Sequence, residues 1–297
     1  MSKSPFWEFP QMDRADLVHL RKAMDEAYRN FSRTYGDSIE NFFDPLLSLL
    51  VWLEKLLLAA PWWSVLLVIL GIVWLASRSL KMVVAVAVTF LLIGYFGMWD
   101  NTMRTLSMIL VCTFLAIVLG IPIGIAMARS DRVQRWVTPV LDVMQTMPAF
   151  VYLIPVVMLL GIGKIPGLIA VVIYAIPPVI RLTNLGIRLV DKEVLEAATA
   201  FGANARQRLW GVQLPLAMPT IMAGVNQTIM MALAMVVIAS MIGVKGLGQP
   251  VLKAITNQYF TLGLLNGLAI VALAIVFDRV SQAFAKRTQA HLGGDQQ

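Results

Sequence analysis

Few residues in this chain have the type and spacing to do chemistry. Asp142 and Gln145 stand three residues apart, on one helical face, inside the apolar run Val140 to Ile162. An ionisable group at such depth is functional or paired. Arg132 and Arg135 are the partners expected for Asp142, in a structural salt bridge rather than a substrate contact. The second group is Glu196-Ala197-Ala198, then Gly202, then Val212-x-Leu214-Pro215. It forms a polar, ordered island in an apolar chain, and its chemistry is docking, not bond making.

Covalent chemistry finds no support. Gly161-Ile162-Gly163-Lys164 lacks both the spacing and the following hydroxyl of a phosphate-binding loop. His19 and His291 are far apart and poorly accompanied by cysteines or carboxylates, so no metal cluster is expected. A Ser/His/Asp hydrolase is equally unsupported. The single cysteine, Cys112, lies in an apolar run and reads as a small packing residue.

The elements that must position these residues follow from composition. With 59% hydrophobic and only 14% charged residues in 297, and a mean hydropathy of +0.76, the chain is a polytopic membrane protein. The net charge of +7 comes from basic residues scattered between apolar runs, which argues against nucleic-acid binding. Seven runs approach the length needed to cross a hydrocarbon core: Trp62 to Ser77, Met82 to Trp99, Leu106 to Ala128, Val140 to Ile162, Ile165 to Ile180, Ala217 to Ile242 and Leu262 to Phe277. They are continuous rather than alternating, so helices are expected and a barrel is not. Pro139, Pro148 and Pro155 should interrupt the fourth run, and Pro177-Pro178 should end the fifth.

Orientation comes from the loops. A cytoplasmic C-terminus places Arg78, Lys81, Arg129, Arg132, Arg135, Arg181, Arg188, Lys192, Arg206, Arg208, Arg279, Lys286 and Arg287 inside. Only Arg104, Lys164, Lys245 and Lys253 then lie in outer loops, and the N-terminus is outside. No cleavable signal peptide is expected, because the first long apolar run starts late.

The N-terminal segment, residues 1–61, reads as an extracytoplasmic tail in two pieces. Between Arg14 and Arg33, Leu17, Leu20, Met24, Ala27 and Phe31 recur at helical steps, predicting a solvated amphipathic helix. Leu46, Leu49, Leu50, Leu53 and Leu57 then form a stripe opposite Ser48, Glu54 and Lys55. That second piece is expected to lie along the membrane surface rather than cross it, with Trp62 and Trp63 at headgroup level. Residues 62–297 form the transmembrane domain.

The island itself, residues 187–216, can be read in detail. Asp191 suits an N-cap, and Glu193 in the first turn suits the helix dipole. Val194, Ala197, Ala198 and Phe201 share a face, Gly202 can close the helix in a left-handed conformation, and Asn204 with Gln207 resembles a capping box. A second short helix through Arg206, Arg208, Leu209 and Trp210 should follow, with Pro215 and Pro219 closing the unit.

The spacing from Glu196 to Pro215 resembles the signature loop of permease subunits in binding-protein-dependent ABC importers, with Val212 where isoleucine is usual. The resemblance implies an all-α, type I ABC importer permease bundle of about seven transmembrane helices plus an N-terminal interfacial amphipathic helix. It implies ATPase coupling by Glu196, Ala197, Ala198, Gly202, Leu214 and Pro215. The alternative for these residues is a surface turn without a partner.

Pro139 to Pro148, continuing through Tyr152-Leu153-Ile154-Pro155, and Ala239 to Gly243 with Gly246-Leu247-Gly248, resemble the narrower group that imports glycine betaine, proline betaine, choline or related compounds. Some relatives of that group carry histidine or other amino acids. For a quaternary ammonium, Phe150, Tyr152 and Tyr174 could present rings to a pathway by cation–π attraction; lipid-facing or core packing is the alternative for each.

The implied assembly is a homodimer of this chain, two ABC ATPase subunits, an extracytoplasmic substrate-binding protein and membrane lipid, in a bacterial inner membrane. No cofactor is expected in this chain; ATP and magnesium belong on the partner ATPase. An ion-coupled secondary transporter is the alternative from another class, and a membrane enzyme would need clustered acid–base groups that the sequence lacks.

Overall fold

The computed structural model describes residues 12–292, with side chains through residue 285. Residues 1–11 of the tail and the side chains of Lys286, Arg287 and His291 lie outside the described residues. Helix α1 runs from Arg14 to Ala59, capped by Asp13, whose carboxylate accepts from the Arg14 amide at 2.7 Å. The tail is therefore one 46-residue helix and not two pieces, because it passes unbroken through Pro45. An internal proline costs about 3 kcal/mol, and contacts on both sides of it offset that. Upstream, Tyr28 donates to the Pro155 carbonyl and Ser32 to the Leu159 carbonyl at 3.2 Å; downstream, Leu50 is 2% exposed.

At Pro61 the chain bends by 114° into α2 (Trp62–Ser77), which pairs with α3 (Leu80–Tyr95). The long α4 (Trp99–Arg129) follows. Helices α5 (Asp131–Thr146) and α6 (Ala149–Leu160) meet at 101°, so the fourth apolar run is broken at Met147-Pro148. Pro139 and Pro155 sit inside these helices without breaking them.

Helix α7 (Lys164–Ala175) leads into α8 (Pro177–Arg188). The expected stop is present, α7 ending at Ala175 before Pro177-Pro178, but it does not end the span. Pro177 occupies the first helical position, where its missing N–H costs little, and the helical run continues from Lys164 to Arg188. The short α9 (Lys192–Ala200) and α10 (Ala205–Arg208) precede α11 (Leu214–Ala239), α12 (Gly248–Asn257) and α13 (Phe260–Leu292).

Among the described residues, four helical runs are long and apolar enough to cross a membrane: Trp99–Arg129, Lys164–Arg188, Ala205–Ile242 and Phe260–Ala285. Each of the two bent pairs passes that test as a unit, and Leu80–Tyr95 is a shorter apolar helix. All seven apolar runs of the sequence are thus helical.

The run Lys164–Arg188 is 72% buried in its most apolar window and Phe260–Ala285 only 17%, so α7 and α8 form the centre and α13 the periphery. Small residues let the central helices approach. A Cβ added to Gly124 of α4 would lie 2.6 Å from Thr183 Cβ of α8, and one on Gly186 of α8 would lie 2.9 Å from Thr220 Cβ of α11. Lipid tails are as apolar as leucine, so such close packing, not hydrophobic expulsion, holds membrane helices together.

Polar contacts fasten the ends of the bundle. Glu54 of α1 faces inward, its carboxylate 2.5 Å from Lys164 Nζ and 3.7 Å from Arg104 Nε. Asp142 pairs with Arg181 of α8, which corrects the expected partners Arg132 and Arg135; α5 turns that carboxylate toward α8, and Gln145 is left exposed. Between α11 and α13, Asn226 Nδ2 donates to Asp278 Oδ1 at 2.9 Å, and Asn226 Oδ1 accepts from Ser281 Oγ at 2.5 Å.

Candidate functional site

The island between α8 and α11 folds as a compact projection whose parts are set by local rules. Asp191 caps α9, its carboxylate accepting from the Glu193 amide at 2.9 Å. At the other end Gly202 adopts φ +82°, the Gly202 amide reaches Thr199 O at 2.9 Å and the Ala203 amide reaches Ala198 O at 3.0 Å. Those paired bonds through a left-handed glycine satisfy carbonyls that the helix end leaves free.

Asn204 opens α10 through a complete capping box. Its side chain accepts from the Gln207 amide at 2.9 Å, and the Gln207 side chain accepts from the Asn204 amide at 2.8 Å. Arg208 Nη1 then donates to Thr199 Oγ1 at 2.8 Å, tying α10 back to α9.

The second short helix is not a separate unit closed by prolines. After Arg208 the chain makes a π turn over Leu209–Gln213, with the Leu214 amide bonded to Leu209 O, and runs directly into α11. Pro215 falls in the first turn of α11, where a missing N–H is tolerated, and Pro219 lies inside it. The projection is therefore continuous with α11 over Ala205–Ile242.

The motif residues divide by environment. Leu214 is 9% exposed and packs with Ile187, Val190, Leu209, Ala217 and Ile221, seating the projection on α8 and α11. Pro215 is half-buried beside it. Glu196 and Ala197 are exposed and Ala198 half-buried. Gly202 is open, with nothing within 4 Å of a Cβ placed on it. At the tip Phe201 is 93% exposed. Glu196, Lys192 and Arg208 line an open cleft of about 540 Å³ together with Leu195, Thr199 and Ala200.

The three rings of the expected pathway do not form one cage. Tyr152 and Tyr174 meet edge to face with centroids 5.7 Å apart, and the Tyr152 hydroxyl donates to the Met144 carbonyl across the α5–α6 break. Phe150 is 54% exposed and has no ring contact with either. Tyr152 is buried, so its position braces the bend.

Sequence reasoning missed the inward-facing Glu54 and the bracing hydroxyl of Tyr152. Neither has a periodic signal: each contact joins helices whose relative placement no spacing encodes.

Comparison with known proteins matches this architecture. Residues 120–290 match the family described as the binding-protein-dependent transport system inner membrane component. Over 237 residues the chain is 50% identical to the glycine betaine/proline betaine transport system permease protein ProW of Escherichia coli (strain K12), covering 80% of this chain and 67% of that one. It is 42% identical over 282 residues to the glycine betaine transport system permease protein OpuAB of Bacillus subtilis (strain 168), covering 91% and 96%. Among solved structures, a chain of the MetNI methionine ABC transporter in an inward-facing conformation superposes with a TM-score of 0.57 at 20% identity, covering 62% of this chain and 93% of that one; that likeness concerns the fold alone. With its helical bundle and its match to the family over more than half its length, the chain belongs to the binding-protein-dependent transport system inner membrane components.

Proposed function

We propose that this chain is the permease subunit of an ATP-driven importer of quaternary ammonium compounds, of which glycine betaine, proline betaine and choline are the leading cargoes. The observation that carries the reading is the capped, exposed projection bearing Glu196, Ala197, Ala198 and Gly202 on a permease half identical to a glycine betaine/proline betaine relative.

In this reading the projection is cytoplasmic and seats in a separate ATPase subunit. Phe201 and the small face of α9 enter the partner, while Leu214 and Pro215 hold the projection to the bundle. Two copies of the chain form the pathway, two ATPases carrying ATP and magnesium lie below, and a binding protein delivers cargo outside. Closure of the ATPase pair shifts the bundle between inward- and outward-facing states only because the projections dock differently in the two. The N-terminus is outside and the C-terminus inside, with residues 1–61 as tail and 62–297 as the transmembrane domain. Arg129, Arg188, Lys192 and Arg208 near the projection support that orientation by the positive-inside rule. Phe150, Tyr152 and Tyr174 remain pathway candidates, with Tyr152 and Tyr174 acting as a pair.

The test is uptake by proteoliposomes holding this chain, its cognate ATPase and its binding protein. Accumulation of labelled glycine betaine only with all three and ATP supports the reading. Accumulation of histidine or proline in its place moves the cargo to an amino acid. Uptake by this chain alone, driven by an ion gradient, overturns the assignment in favour of a secondary transporter.

A further inference from the structure

Between α3 and α13 the structure holds a slot of about 440 Å³, away from the projection and from the Tyr152–Tyr174 pair. The two helices run antiparallel. Thr105, near the start of α4, holds the Leu247 amide just beyond α11, so α3 ends and α13 begins on the same side of the bundle. Lys81 and Arg279 therefore meet at the opposite end of the slot, with Ser79 beside them. From there the lining is aliphatic, with Ala85 and Val86 on α3 and Ala272 on α13. Thr89 closes the far end, its hydroxyl already donated to the Ala85 carbonyl at 2.8 Å. Lys81 to Thr89 covers about 12 Å at 1.5 Å per residue.

The charged end is unbalanced. No acid lines the slot, and among the described residues the side chains of Lys81 and Arg279 have no ion-pair or hydrogen-bond partner. The acid nearest in sequence, Asp278, is committed elsewhere: its Oδ1 accepts from Asn226 Nδ2 at 2.9 Å and from Gln282 Nε2 at 2.7 Å. Ser79 precedes α3 without a side-chain cap bond, so its hydroxyl is a third free donor. Two cations and a hydroxyl thus stand at one end of an apolar slot. Its α13 wall belongs to the least buried of the four long apolar runs, the side of the bundle that meets lipid.

A phosphodiester carries one negative charge shared by two unbridged oxygens, which suits a guanidinium fork with an ammonium beside it. An acyl chain makes only dispersion contacts and lies along methyl and methylene groups. We propose that the slot binds one anionic glycerophospholipid, of which phosphatidylglycerol is the simplest, with its phosphate at Lys81, Arg279 and Ser79 and an acyl chain along Ala85, Val86 and Ala272. Charge and shape select this occupant together, because the cations stand at one end only and the rest of the slot is apolar. A zwitterionic lipid would bring its own ammonium against both cations. The site goes beyond the transport reading and is tested without cargo, ATPase or binding protein, so either can fail alone.

The experiment is native mass spectrometry of the full-length chain in detergent, titrated with phosphatidylglycerol or with phosphatidylcholine of the same acyl chains. One saturable phosphatidylglycerol per chain is expected, with phosphatidylcholine weaker by about fivefold or more. Lys81→Gln and Arg279→Gln should each weaken phosphatidylglycerol by about fivefold, the effect of one basic residue beside an anionic headgroup. Arg132→Gln, on the exposed face of α5 and outside the slot, should not. Ala272→Leu keeps both cations but fills the apolar part, and should weaken binding by about tenfold. Elution volume and helical circular dichroism verify that each variant is folded, and the comparison of the two lipids on the parent chain needs no variant. Equal retention of the two lipids, an Arg132→Gln chain as impaired as Arg279→Gln, or phosphatidylglycerol binding untouched in a folded Ala272→Leu chain or in a folded Lys81→Gln, Arg279→Gln double variant would each overturn the proposal.

Discussion

Arg188 Nη2 lies 2.7 Å from Asp131 Oδ1, and the same nitrogen donates to the Met127 carbonyl at 2.8 Å. Its Nε also donates to Asn184 Oδ1 at 3.0 Å. One guanidinium at the last turn of α8 thus bridges the α4–α5 corner immediately before the chain enters the projection. A planar fork can make such divergent bonds where an ammonium cannot.

Removing that guanidinium should loosen the entry to the projection. Arg188→Ala is expected to cost about 1–2 kcal/mol, because bonds to an uncharged carbonyl and amide are lost along with the ion pair. Asp131→Asn should cost about 0.5 kcal/mol or less, since Asp131 is 76% exposed and water screens the pair. Thermal unfolding in detergent measures both, and equal losses would contradict the assignment of the anchoring bonds.

Gly202→Val should abolish ATP-coupled uptake while membrane insertion continues. The site is sterically open, so the damage is conformational: a β-branched residue at φ +82° carries about 1–3 kcal/mol of strain and unpicks the helix end. Gly202→Asn should be milder, as asparagine tolerates the left-handed region. The check is uptake at matched membrane levels of the variants; full transport by Gly202→Val would remove the coupling role.

Packing at Gly124 predicts a contrast between two glycines. Gly124→Val should lose about 1–3 kcal/mol by forcing α4 from Thr183 and the Ile180 carbonyl, which a Cβ would approach to 2.6 Å and 2.7 Å. Gly71→Ala in α2, with nothing within 4 Å of the added carbon, should be neutral or slightly stabilising. Melting temperatures of the two variants in one detergent decide it.

Glu54→Gln should release α1 from the bundle. The glutamate is 14% exposed and neutralises both Lys164 and Arg104, so its loss leaves two partly buried cations unpaired. Limited proteolysis should then cut within α1 faster than in the parent chain, and Lys164→Met in the Glu54→Gln background should slow the cutting again. Unchanged cutting in the single variant would show that the apolar stripe alone holds the helix.

Much of this fold was legible because hydrophobic length is written locally. Each apolar run is helical, and the projection's caps at Asp191, Gly202 and Asn204 follow from residue type alone. Contacts between helices were not legible. Asp142 meets Arg181, 39 positions away, and no periodicity points from α5 to α8. The continuity of α1 through Pro45 was hidden for a related reason: proline's cost is a local quantity, while the Tyr28, Ser32 and Leu50 contacts that offset it come from α6 and the bundle. Pro215 misled similarly, since a π turn in front of it lets the helix continue.

That uninterrupted run from Ala205 to Ile242 is about 57 Å long at 1.5 Å per residue. Its far end leads into Gly246 and Leu247, where the Leu247 amide donates to Thr105 Oγ1 at 2.9 Å near the start of α4. One helical run therefore links the projection to the loop held by Thr105. The helical run thus ties Trp210, beside the projection, to the loop that bonds Thr105, with its one wide coil at Leu209–Gln213 and Pro219 within it.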